Sequence, residues 1–196
     1  MTGQNNEQIS RKFGIDDLLI WVLGNTFGLN VGFLLGFMSH NIINTIITLD
    51  ERIALDRGID LSVYAICIGT SVGLTQWLLL RFKVTQLSLS ALWILVSTIG
   101  ILVGFWVGKY LGLILGLDTN FSDIYYVILV FTVSGFLCGI LQWPLLQKHM
   151  ARTQWWVLSS TIGWGLSSIT FGISLGVVTG GTWMWLLRKE VQHEID

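Results

Sequence analysis

Trp93-Ile94-Leu95-Val96-Ser97-Thr98-Ile99-Gly100-Ile101-Leu102-Val103-Gly104-Phe105-Trp106-Val107-Gly108 is the stretch that decides the fold. It carries no charge, and the uncharged run around it extends from Val84 to Gly108. As a helix that run is about 37 Å long, more than the roughly 30 Å of hydrocarbon in a bilayer. Four further runs lack Asp, Glu, Lys and Arg: Leu18–Met38, Leu61–Leu80, Ile124–Gln147 and Thr153–Leu187. Each is long enough for a membrane helix.

Composition agrees. Hydrophobic residues make up 53% of the 196 residues and charged residues 12%, about half the usual share of a soluble domain. Mean hydropathy is +0.69. So few charges do not cover a water-facing surface. The expected fold class is all-α, a polytopic transmembrane helix bundle. The net charge of −1 gives no pointer to nucleic acid or another polyanion. A polar stretch, Thr2–Ser10, precedes a long apolar run with no small-residue cleavage site after it, which reads as an anchor rather than a removed signal peptide.

The opening stretch has copies. Trp21-Val22-Leu23-Gly24-Asn25-Thr26-Phe27-Gly28 and Trp156-Val157-Leu158-Ser159-Ser160-Thr161-Ile162-Gly163 match Trp93 through Gly100. A second element alternates with it: Gly69, Gly73, Gln76-Trp77 and Leu79-Leu80 correspond to Gly135, Gly139, Gln142-Trp143 and Leu145-Leu146. A weaker third copy, Gly180–Arg188, lies on Gly73–Arg81 without the Gln-Trp pair. The expectation is three tandem helix pairs. Residues 1–15 form a polar cytoplasmic tail, 16–189 a single transmembrane domain with repeats at about 16–82, 88–148 and 153–189, and 190–196 a C-terminal tail. Thr153 to Arg188 is short for two spans, so five spans with one long tilted helix is the alternative to six with a tight turn near Gly172–Gly176.

Six spans place Arg11, Lys12, Arg81, Lys83, Lys148, Arg152, Arg188 and Lys189 on one side of the membrane. Arg52, Arg57 and Lys109 face the other, beside Asp50, Glu51, Asp56, Asp60, Asp118 and Asp123. The positive-inside rule then makes both termini cytoplasmic. Trp21, Trp77, Trp93, Trp143 and Trp156, with Trp155, Trp183 and Trp185, fall toward the same side and are expected to anchor the bundle at the interface. Phe121, Tyr125 and Tyr126 supply aromatics to the other.

Gly24, Gly28, Gly32 and Gly36 recur every four residues, as do Gly100, Gly104, Gly108, Gly112 and Gly116. Four-residue spacing makes a flat ridge along a helix. Gly69 with Gly73, and Gly135 with Gly139, are shorter versions. Helices in lipid associate by close packing and hydrogen bonds, so these glycines are expected at helix contacts, with a smooth groove for a pigment or lipid as the alternative.

Polar candidates are few. Gln76 and Gln142 occupy equivalent positions, as do Asn25, Ser97 and Ser160. Each reads either as a partner in interhelical or backbone hydrogen bonding or as a contact to a polar ligand. Lys109 sits near a helix end and snorkels. Asp16 and Asp17 suit a helix N-terminus. Pro144 is expected to bend its helix. His40, His149 and His193 have no spacing partner, and Cys67 and Cys138 read as packing residues. No pattern points to a metal, a cofactor, a catalytic constellation or a phosphate loop, and no Asp or Glu lies inside an apolar run as proton-coupled transport usually requires. Enzyme function is therefore not expected.

The repeated Gln-Trp-x-Leu-Leu and Trp-(Val/Ile)-Leu-x-Ser-x-x-Gly elements resemble a group of small membrane proteins found mainly in cyanobacteria. The likeness runs from Trp21 to Arg188 and departs in the third pair. It implies a plasma or thylakoid membrane and no particular activity. Two classes of function remain: a non-catalytic membrane subunit or scaffold packing against lipids, pigments, other membrane proteins or itself, and a small-solute carrier or substrate-binding membrane component.

Overall fold

The computed structural model describes residues 14–46, 52–83, 90–117, 123–148 and 152–193. They form six helices and, among the described residues, no strand: α1 (Ile15–Ile46), α2 (Arg52–Lys83), α3 (Leu92–Ile114), α4 (Ile124–Gln147), α5 (Gln154–Thr170) and α6 (Ile173–His193). Local chemistry sets their ends. Asp17 reaches back to accept the Gly14 N–H at 3.0 Å, closing the first turn of α1, and Asp16 adds charge suited to the dipole there. Asp123 accepts the Tyr125 N–H at 2.9 Å and starts α4.

Gly116 terminates α3. Its φ is +69°, and the N–H groups of Gly116 and Leu117 bond Leu113 and Gly112 carbonyls at 3.2 and 2.9 Å, a Schellman closure. A Cβ on Gly116 would meet nothing within 4 Å. Gly116 therefore shares the four-residue spacing of its neighbours but packs against no helix among the described residues.

The chain turns again at Phe171 and Gly172, with φ of 51° and 96°. α5 and α6 are thus two helices, and the single long helix over this segment is excluded. Pro144 lies in the last turn of α4, which continues to Gln147.

Each helix packs on its neighbours in sequence, and α6 packs on α1, so the six make a closed ring. Four contain segments long and apolar enough to cross a membrane: Ile15–Ile43, Ile59–Phe82, Leu92–Ile114 and Ile124–Gln147. The last pair is shorter. Trp93 stands 21 residues before the end of α3, whereas Trp156 stands 14 before the end of α5. The α5–α6 turn therefore falls about 10 Å short of the α3 end.

Glycines lie at every seam. A Cβ on Gly32 would come within 2.6 Å of the Ile68 Cα, on Gly69 within 2.7 Å of the Thr98 Cα, and on Gly100 within 2.6 Å of the Cys138 Cα. Gly139 lies likewise against Val157 (2.9 Å), Gly163 against Leu175 (3.2 Å) and Gly176 against Val22 (2.5 Å). At each of these positions a helix offers its glycine to the next helix around the ring. Gly24, Gly28 and Gly36 face Leu79, Thr75 and Tyr64 of α2; Gly73 faces Ser97, Gly104 faces Ser134, Gly108 faces Val130 and Gly135 faces Trp164. Gly112 is buried. Gly165 is an exception, since it faces back to Thr132 of α4.

Of the charges that bear on topology, Arg11, Lys12, Asp50, Glu51 and Asp118 lie outside the described residues, as do Phe121 and His149. So do the side chains of Arg52, Asp56, Arg57, Lys83, Arg188, Lys189 and His193.

Candidate functional site

The three repeated tryptophans converge. Trp21, Trp93 and Trp156 are buried in one cluster with Leu80, Leu146, Trp183 and Leu186. Ring centroids stand 5.9 Å apart for Trp93–Trp156, 6.5 Å for Trp21–Trp156 and 5.5 Å for Trp156–Trp183. This corrects the expected interfacial role of Trp21, Trp93, Trp156 and Trp183, which are at most 2% exposed. Trp77 and Trp143 are half-buried, and Trp155 and Trp185 are exposed and touch each other edge-on at 6.1 Å. The reason is helical geometry. Trp21, Asn25 and Leu29 form a row one residue on from Gly24, Gly28 and Gly32, about 100° round the helix. Once the glycines seat α1 on α2, that row faces the ring interior. Trp93, Ser97, Ile101 and Phe105 stand in the same relation to Gly100, Gly104 and Gly108, and all are buried.

An indole N–H placed there needs an acceptor. Trp93 donates to Gln76 Oε1 at 3.3 Å. Gln76 Nε2 donates to Asn25 Oδ1 at 2.8 Å, and Asn25 Nδ2 donates to the Trp21 carbonyl at 2.8 Å. The second chain runs the same way: Trp156 to Gln142 Oε1 at 2.7 Å, Gln142 Nε2 to Ser97 Oγ at 2.9 Å, Ser97 to the Trp93 carbonyl at 2.6 Å. Each glutamine bridges three helices, accepting from the following one and donating to the preceding one.

The third chain is shortened. Trp21 donates to Thr179 Oγ1 at 2.9 Å, and Thr179 in turn donates to the Leu175 carbonyl. Gly176 meets the Val22 backbone as Gly73 meets Ile94 and Gly139 meets Val157. By that contact Thr179 stands where Gln76 and Gln142 stand. The placement of Gly180 on Gly73 is therefore one helical turn out of register: Gly180 faces Leu18 and Trp21. A threonine is too short to continue to Ser160, which lies against Gly139 instead. Trp183 fills the position of Leu80 and Leu146, and its indole N–H has no partner among the described residues.

The structure thus brings Asn25, Gln76, Ser97 and Gln142 into one buried network and leaves Ser160 beside it. Thr179 is the member that the sequence reading missed; Trp183 joins the indole cluster without a hydrogen bond. The signal lay in the four-residue row Gly172, Gly176, Gly180, which offers more than one register.

Elsewhere, His40 Nδ1 pairs with Asp60 Oδ1 at 2.8 Å, tying α1 to α2. Sequence spacing gave His40 no partner. Asp60 sits at the margin of the apolar segment of α2, the one carboxylate there among the described residues. Lys109 reaches over the Trp106 ring at 5.1 Å, and Trp106 donates to Ser62 at 3.1 Å. Cys67 and Cys138 are free thiols. No three His, Cys, Asp or Glu side chains come together among the described residues.

The network contains no carboxylate, imidazole or amine among the described residues; the Cys138 thiol hydrogen-bonds Ser97 at its edge, and the carboxamides are engaged at both ends. Its chemistry is that of a clamp: it fixes helix register and fills the ring axis at one end with indole. Fold and site together define an apolar helical bundle of the kind suited to a membrane. Comparison with known families, curated proteins and solved structures gave no match.

Proposed function

We propose that this chain is an integral membrane protein of three helix pairs, acting without catalysis as a subunit or scaffold that packs against lipids and other membrane proteins. The carrying observation is an inverted distribution of polarity. The outward surface is Leu23, Phe27, Leu34, Leu95, Leu158 and Ile162 with many like them, all exposed, while Asn25, Gln76, Ser97 and Gln142 are buried. In water that surface would aggregate; in hydrocarbon it is the ordinary exterior, and the buried amides find partners they would lack in lipid.

Two features support the three-pair reading. The Trp-to-Gln hydrogen bond recurs between α3 and α2 and between α5 and α4, with Thr179 taking the acceptor role between α1 and α6. Glycines at each seam serve as the packing surface throughout. Both termini are placed in the cytoplasm on the basic residues, and the membrane is the plasma membrane or, for a cyanobacterial source, the thylakoid. A carrier is the weaker reading, because four indoles fill the axis that a solute would travel.

Carbonate extraction of native membranes tests the assignment: the chain is expected to stay in the pellet and enter solution only with detergent. Native mass spectrometry of the mildly solubilised protein then separates the classes. Stoichiometric protein or lipid partners accord with a scaffold; a retained polar metabolite overturns it.

A further inference from the structure

Because the α5–α6 turn stops short, α1 and α4 rise past it and leave a cleft of about 290 Å³. Phe33 and Phe131 stack across it at 6.0 Å, Leu29 and Val127 continue the walls, and Phe171 of the turn forms the floor. We infer that this cleft is a binding site for one acyl chain of a membrane lipid, an inference that rests on the membrane placement proposed above.

Two observations point to the occupant. The first is depth. Measured from their shared tryptophan positions, the turn lies about 10 Å inside the end of α3, so the floor stands in hydrocarbon, where lipid chains are the solvent. The second is chemistry. Among the described residues no charged side chain lines the cleft, and its polar side chains already donate within the protein. Ser167 and Ser168 donate to the Trp164 and Gly165 carbonyls at 2.6 and 2.7 Å. Asn30 donates to the Thr26 carbonyl at 2.7 Å and to the Phe171 carbonyl of the turn at 3.1 Å. The irregular backbone of the turn is thereby covered, as non-helical backbone at membrane depth must be, and the walls require no polar ligand.

The full chain is incorporated into nanodiscs of palmitoyl-oleoyl phosphatidylcholine, transferred to mild detergent and weighed by native mass spectrometry. The wild type is expected to keep about one lipid per chain. Ser168→Phe and Val127→Trp, which fill the cleft from opposite walls, are expected to lower retention about tenfold, the effect of about 1.4 kcal/mol of lost contact. Absence of retained lipid in the wild type, or equal retention in both variants, overturns the inference. An independent arm uses unaltered protein with a phosphatidylcholine carrying a diazirine midway along one chain. Photolabel on residues 29–33 and 127–131 is expected; label confined to other helices overturns it. A chain that fails to enter nanodiscs at all overturns the membrane reading, whereas one that enters and holds no lipid overturns only the cleft.

Discussion

Trp156 of α5 donates its indole N–H to the Oε1 of Gln142 on α4 at 2.7 Å, at a point where both side chains are at most 1% exposed. Gln142 also donates to Ser97 of α3 at 2.9 Å, so the bond ties the short hairpin through α4 to α3. Its removal leaves a donor stranded.

Gln142→Leu keeps the volume and deletes both the acceptor for Trp156 and the donor to Ser97. A buried group left unpaired costs about 1–3 kcal/mol. The variant is expected to melt well below wild type in detergent, with a smaller loss for Gln76→Leu, whose indole contact is longer at 3.3 Å. Equal melting of wild type and Gln142→Leu would show that the clamp contributes nothing.

Thr179→Val separates hydroxyl from shape. Thr179 accepts the Trp21 indole, whereas the Thr161 hydroxyl bonds only the Val157 carbonyl of its own helix at 2.7 Å. Loss of about 1 kcal/mol or more is expected for Thr179→Val and about half that or less for Thr161→Val. The comparison is made by unfolding in mixed micelles of rising dodecyl sulfate; a reversed order refutes the assigned register of α6.

Glycine substitutions are expected to divide by location and not by spacing. Gly32→Ala and Gly104→Ala place a methyl against the Ile68 and Ser134 backbones and are expected to cost about 1–3 kcal/mol as overpacking does. Gly181→Ala meets nothing within 4 Å and is expected to gain up to about 1 kcal/mol in helix propensity. Thermal melts of the three variants check this; uniform effects count against close seams.

Depth is measured by cysteine labelling in a background with Cys67→Ala and Cys138→Ala. Phe171→Cys on the α5–α6 turn is expected to resist a membrane-impermeant maleimide although Phe171 is 75% exposed. Ser90→Cys, just before α3, is expected to react from the aqueous side. Rapid labelling at 171 by the impermeant reagent would put the turn in water and remove the basis for a hairpin that ends inside the hydrocarbon.

Helix content and apolar exterior were legible because they depend on local sums: uncharged runs of sufficient length, and too few charges to solvate a surface. The choice of two helices over one between Thr153 and Arg188 followed from the repeat phase. The tryptophans were misplaced for a physical reason. Trp is amphipathic, and nearness to a basic loop suits an interfacial anchor as well as a buried donor; only the direction of each row around its helix separates the two. Gly116 shows the same limit, since its spacing matches the ridge while its φ makes it a cap.

The amino-acid sequence alone determined a helical chain with an apolar exterior and placed Asn25, Gln76, Ser97 and Gln142 at corresponding points along it, since each of these depends on residues near one another in the chain. Tertiary structure alone decided that those residues meet, that Thr179 takes the third place, that Asp60 finds His40, and that a short α5–α6 hairpin opens a cleft between α1 and α4. Ring closure joins α6 to α1, two helices from opposite ends of the chain. The register of that seam is set by backbone approach at Gly172 and Gly176, which no pattern within either helix specifies.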